Sequence, residues 1–196
     1  MKVVLLGTTG YHPSESRHTP CMLLPECGVM FDAGTAMFRA PRYLTLPTLD
    51  IFLTHAHLDH SGRLPLLARR GFTGPVYATR ATHDLLEVML KDAAFLEQKD
   101  AEWENRRRER AGKKPIEPTF TIEDVEAILS QRRGLEYHQE QAVLPDLKVQ
   151  LFNAGHILGA ARSKSCCANS QVHEGYRSLI PGGIQIAFSS SASAMA

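Results

Sequence analysis

The sequence predicts a mixed α/β sandwich, and three observations carry that expectation. Short apolar runs come first and then alternate with helical segments. One long charged stretch has helical periodicity. Two histidine-bearing loops each follow directly on an apolar run.

Taken in order, residues 2–6 read as a buried strand, stopped by Gly7-Thr8-Thr9-Gly10. Pro13 to Pro20 is polar loop. Cys21–Leu24 and Gly28–Phe31 read as strands joined by a Pro25-Glu26-Cys27 turn, and Asp32-Ala33-Gly34 ends the second of them. Leu49–Thr54 is a further strand that delivers the chain into a histidine-rich segment. Pro65–Arg70 reads as a helix stopped by Gly71, and Val76–Ala78 as a short strand. Thr82–Arg110 has Leu85, Leu86, Met89, Leu90, Phe95 and Leu96 at spacings that predict one buried helical stripe. After Lys113-Lys114-Pro115, Thr121 caps a second helix with Asp124 as its capping partner; Ile122, Val125, Ile128 and Leu129 share a face. Leu147–Phe152 is a strand leading to Gly155-His156. Arg162 to Gly183 has no clear period, Ile184–Phe188 is strand-like, and the Ser/Ala-rich end has no core-forming potential.

Composition narrows the function. A length of 196 residues suits one domain or one domain plus part of another. The formal net charge of +1 excludes a polybasic nucleic-acid binder, so any attraction to phosphate must be local. The N-terminal apolar run, Val3–Leu6, is too short for a signal peptide or a membrane span, so the expectation is a cytoplasmic protein with no membrane partner. Cys21, Cys27, Cys166 and Cys167 form no pair of CxxC motifs and are expected to be free thiols.

The chemistry concentrates in His55-Ala56-His57-Leu58-Asp59-His60. On extended chain, residues two apart point the same way, so His55 and His57 face one side as two ligands of one ion. After a turn, Asp59 and His60 can reach a second ion. Imidazole and carboxylate together suit zinc, or manganese or iron. Two such ions could share one water and lower its pKa to about 7. Asp59 is also assigned to proton handling, as the candidate catalytic residue. His156, flanked by Gly155 and Gly159 after a strand, is the next candidate ligand. Asp32 either caps a turn or supports the ligands by accepting a hydrogen bond and fixing a histidine tautomer.

The segment Thr54–Gly62, THAHLDHSG, resembles the signature of the metallo-β-lactamase superfamily. Together with Asp32 and Asn153–Ala160, NAGHILGA, it resembles the beta-CASP branch of RNA nucleases, as does the charged helical segment around Trp103. The N-terminus, from Leu6 to Gly10 through Pro13 and Arg17, is also similar to the RNase Z group. The resemblance covers residues 1–161. It implies an αββα sandwich, two zinc ions and phosphodiester hydrolysis of RNA. By that resemblance His55, His57 and His156 hold one zinc, Asp59 and His60 hold the other, and Asp32 supports them.

The same resemblance calls for a bridging aspartate after the strand at Ile184–Phe188, where Ser191 stands instead; serine is a poor zinc ligand. No aspartate follows Asp146, and the last family histidine would lie beyond residue 196. The fold is therefore expected to be incomplete on its C-terminal side, with one zinc rather than two as the alternative. The expected organisation is a metallo-β-lactamase-like unit at 1–161, with a helical insertion at 82–131, then a divergent or truncated segment at 162–196. His173, Glu174, Cys166 and Cys167 are candidate substitute ligands. Arg106-Arg107-Arg108-Glu109-Arg110 with Lys113 and Lys114 could touch RNA phosphates, although interleaved Glu102, Glu104 and Glu109 favour a solvated helix face. The leading expectation is a zinc-dependent RNA phosphodiesterase, with a homodimer as the candidate assembly. The alternatives are a thioester, lactone or lactam hydrolase of the same fold, and a catalytically impaired remnant.

Overall fold

A computed structural model describes residues 3–9, 18–39, 49–144 and 147–167. The strand expected at 184–188, Ser191, His173, Glu174 and the loop positions Pro13 and Arg17 lie outside the described residues. Six strands form the first sheet in chain order: β1 (Val4–Gly7), β2 (Cys21–Leu24), β3 (Val29–Phe31), β4 (Asp50–Phe52), β5 (Val76–Thr79) and β6 (Arg132–Leu135). The β1–β2–β3 ladder is antiparallel, and β3 to β6 run parallel. The β2–β3 connection is a tight turn closed by the Cys27 amide on the Leu24 carbonyl, with Gly28 at φ 64°. The parallel step from β5 to β6 needs a crossover. The helical segment expected at 82–131 supplies it, as α3 (Arg80–Arg110) and α4 (Ile122–Ser130).

The second sheet is an antiparallel meander of β7 (Glu140–Leu144), β8 (Leu147–Asn153) and β9 (Ala161–Cys167). The centre of the first sheet is buried on both faces, which is why β2 and β3 read as unbroken apolar runs. Its side chains still alternate. Leu23, Met30 and Ile51 face a helical layer with Leu64, Leu67, Leu86, Leu90 and Ile128. Met22, Leu24, Phe31 and Phe52 face Val149 and Leu151 of the second sheet. Phe31, Phe52 and Tyr77 stack across neighbouring strands at 5.4 and 4.8 Å. The result is a helix–sheet–sheet sandwich, the mixed α/β architecture expected. Among the described residues, no helix is long and apolar enough to cross a membrane.

The structure corrects several details. Among the described residues the first strand, expected at 2–6, is Val4–Gly7 and so runs on to Gly7. Within α3 the buried line is Leu86, Leu90, Ala94 and Ala101; Phe95 and Leu96 are 56% and 53% exposed, because they are rotated away from Ala94 on the helix. Ile122 is exposed at the first turn of α4, although Asp124 does accept from the Thr121 amide at 2.9 Å. Three strands were not expected. β6 and β7 are polar edge segments, and β9 begins with small buried residues, Ala161 and Ser163, alternating with exposed Arg162 and Lys164. Small inward residues give period two without an apolar signal. β9 also carries the chain across the compositional change at 161–162 without leaving the sheet.

The two faces of α3 separate in a stability measurement. Leu90→Ala is expected to cost about 2–5 kcal/mol by emptying a closed core position, whereas Phe95→Ala costs less than about 0.5 kcal/mol. Denaturant unfolding checks both.

Candidate metal centre

The candidate site residues gather beyond the carboxyl ends of strands: Asp32 after β3, His55 and His57 on the loop after β4, Asp59 and His60 on the short helix α1 (Leu58–Ser61) that follows, and His156 after β8. Asp32 follows β3 directly and takes φ 58°, a left-handed backbone that aspartate tolerates better than most side chains. That turn brings its fully buried carboxylate against the end of β4. Oδ1 accepts from the Thr54 amide at 2.8 Å, and the Thr54 hydroxyl lies 3.1 and 3.0 Å from the two carboxylate oxygens. Oδ2 also accepts from His60 Nδ1 at 2.7 Å. One buried anion therefore satisfies three donors from the ligand-bearing loop.

Thr54 passes this order on. Its single hydroxyl proton is spent on Asp32, so its oxygen accepts from His55 Nδ1 at 2.9 Å. His55 is thereby fixed with Nδ1 protonated and Nε2 carrying a lone pair. Nε2 lies 3.1 Å from His57 Nδ1, and His156 Nε2 lies 3.2 Å from the same His57 atom. Ligand nitrogens of His55, His57 and His156 all lie within 4.8 Å of one another. Three imidazole nitrogens converging in this way cannot all be paired with one another by protons, because His57 Nδ1 can donate to only one neighbour. A cation accepting three lone pairs fits the arrangement.

The electrostatics fit as well. Burial, then the neighbouring imidazoles of His60, His57 and His156, push His55 down to about 3. Burial and His156 also lower His57. Both rings stay neutral at neutral pH, the form that binds a metal. Burial pulls His60 down too, but the charge and hydrogen bond of Asp32, with Asp59, outweigh it and leave His60 above its ordinary value. His60 Nε2 sits 3.6 Å from Asp59 Oδ2. Asp59 and His60 thus stand together beside the three-histidine cluster, with no third donor grouped with them among the described residues. Cys21 is not among the grouped donors, and burial with the Asp32 charge pushes its thiol well above the ordinary range.

Supports the sequence reading missed complete the site. Ser61, fully buried at the end of α1 (Leu58–Ser61), donates to the carbonyls of Ala56 and His57 and closes the loop. The His156 loop runs from Ala154 to Ala160, with Gly155 at φ 67° and Gly159 at φ 79°. Thr79 and Thr82, at the start of α3, both donate to the Gly159 carbonyl at 2.8 and 2.9 Å. The Ala161 amide donates to the Thr54 carbonyl at 2.8 Å, joining the two histidine loops. A threonine immediately before the first histidine was the available signal for Thr54.

A family model described as the metallo-β-lactamase superfamily matches residues 17–141. Ribonuclease TTHA0252 of Thermus thermophilus is 41% identical over 140 residues, which are 71% of this chain and 28% of that protein. Transcription termination factor FttA of Methanocaldococcus jannaschii is 33% identical over 143 residues, covering 71% of this chain and 20% of the relative. FttA of Methanothermobacter thermautotrophicus is 35% identical over 145 residues with the same two shares. The chain thus spans between 20% and 28% of the length of these relatives.

The depressed histidines set a pH dependence for the metal-free protein. The folded state holds His55 and His57 neutral, whereas the unfolded chain protonates them at the ordinary value of 6.5. Their contribution is therefore present above pH 6.5 and lost as pH falls toward the folded values. His60, shifted upward, contributes in the opposite sense: its share is present below 6.5 and lost as pH rises through its folded value. With two groups against one, chelator-treated protein is expected to lose stability from neutral pH down to about pH 4, and His55→Gln to lose less. Equal losses in the two proteins would contradict this assignment.

Proposed function

The chain belongs to the metallo-β-lactamase superfamily, and on that premise we propose that it is a zinc-dependent phosphodiesterase acting on RNA, of the beta-CASP type. The single observation that carries the metal is the convergence of His55 Nε2, His57 Nδ1 and His156 Nε2. In this reading those three residues hold one zinc, and Asp59 with His60 contribute to a second. The metal would supply Lewis acidity and make water acidic enough to attack at neutral pH.

The chain's own residues do the rest. Asp32 and Thr54 hold His55 in the tautomer that leaves Nε2 free. Asp32 turns His60 so that Nε2 faces Asp59. Asp59, half-buried on α1, is placed to orient the attacking water and take up its proton. The names of the relatives, a ribonuclease and transcription termination factors, support RNA as the substrate over a thioester, lactone or lactam, and cytoplasm as the compartment.

Cleavage of end-labelled RNA by the zinc-loaded chain tests the proposal. RNA is expected to be cut, with His57→Ala inactive and Asp59→Asn slower by roughly 10²–10⁴-fold. Hydrolysis of a thioester or lactam without RNA cleavage would overturn it, as would full activity in His57→Ala.

A further inference from the structure

The long helix α3 presents a second face that neither the core nor the metal centre uses. Val88, Phe95, Leu96 and Trp103 are exposed large apolar residues on it; Val88 is 67% and Trp103 56% accessible. By helical spacing, Asp92, Leu96, Lys99, Asp100, Trp103 and Arg107 lie on one side. Asp92, Leu96 and Asp100 also line an open cleft that reaches Asp59. Charge along this face is polarised: Asp92 and Asp100 are acidic, whereas Arg106, Arg107 and Arg110 make the far end basic. Asp92, Asp100, Arg106 and Arg110 form no ion pair among the described residues. The pairs present, Lys99 with Glu102 at 2.8 Å and Arg107 with Glu104 at 3.3 Å, are solvent-exposed and weak enough to be exchanged.

Such a face is complementary to itself when reversed. We propose that α3 pairs antiparallel with α3 of a second copy of this chain, about a twofold axis between Lys99 and Asp100. The register that sets Trp103 against the partner's Leu96 also sets Arg107 against the partner's Asp92 and Lys99 against the partner's Asp100. Each contact occurs twice, as an isologous interface requires. Trp103, with Arg107 stacked on its ring at 4.9 Å, is the apolar anchor. RNA is the less favoured occupant, because Asp59, Asp92, Glu97 and Asp100 would repel phosphates along the cleft end of the face. Contact from Val88 to Arg110 is about 33 Å long, which places the interface among small, reversible ones.

Sedimentation equilibrium of the metal-free chain, from low to high micromolar concentration, tests this. Metal-free protein keeps the outcome separate from the catalytic reading. A reversible dimer that weakens with added salt is expected. Trp103→Glu should weaken it by roughly 30-fold or more. Arg107→Asp and Asp92→Arg should each weaken it, and the two together should restore it, since the double variant only reverses the pair. Circular dichroism checks that each variant is folded. A monomer throughout, or a double variant no better than the singles, would overturn the proposal. A monomer whose Trp103 fluorescence is quenched by single-stranded RNA would overturn it and assign the face to RNA.

Discussion

The buried carboxylate of Asp32 and its three hydrogen bonds are the constraint on which the rest of the site depends. A fully buried anion is tolerable only when its acceptor capacity is met, and here Thr54 and His60 meet it. The same bonds tie the end of β3 to the end of β4 and fix two of the histidines. Through the Thr54 carbonyl the network reaches Ala161 and the second sheet. A satisfied polar network of this kind specifies one arrangement of its members. Removing any one acceptor would leave a buried donor unpaired, at about 1–3 kcal/mol each.

That network explains how a short motif becomes a cluster able to hold a metal ion. His55 and His57 reach one point because extended backbone places alternate residues on one side. His156 arrives from 99 residues further on, across the two sheets, and its loop is held by threonines at the start of α3 as well as by its own backbone hydrogen bonds. The three converging ring nitrogens cannot all be paired with one another by protons, and a cation fits the point where they meet. His60 behaves differently: two carboxylates, Asp32 and Asp59, outweigh burial and hold it above its ordinary value.

The sequence displayed the parts of this design that have local signatures. Alternating apolar runs marked β2 to β5, the 3.6-residue period marked α3 and α4, and three histidines with an aspartate marked the ligand loop. Asp32 was visible as a carboxylate at a strand end, with its partners unassigned. Less visible were features whose meaning is tertiary. β6, β7 and β9 use polar or small residues where a sheet edge or a narrow gap between layers permits them. Thr54, Ser61, Thr79 and Thr82 look like ordinary hydroxyl residues until the fold brings their acceptors within reach. Phe95 and Leu96 carried a periodicity signal for the core and lie outside it, because the buried line of α3 runs through Leu90, Ala94 and Ala101 and they are rotated away from it.

Zinc titration of the purified chain against a chromophoric chelator tests the central claim most directly. At least one tightly held ion per chain is expected, none in His57→Ala, and an affinity lowered by roughly 10–100-fold in Thr54→Val, where the proposed ligands remain but their orienting partner is gone. No tight zinc in the wild-type chain, or the same affinity in all three proteins, would contradict it.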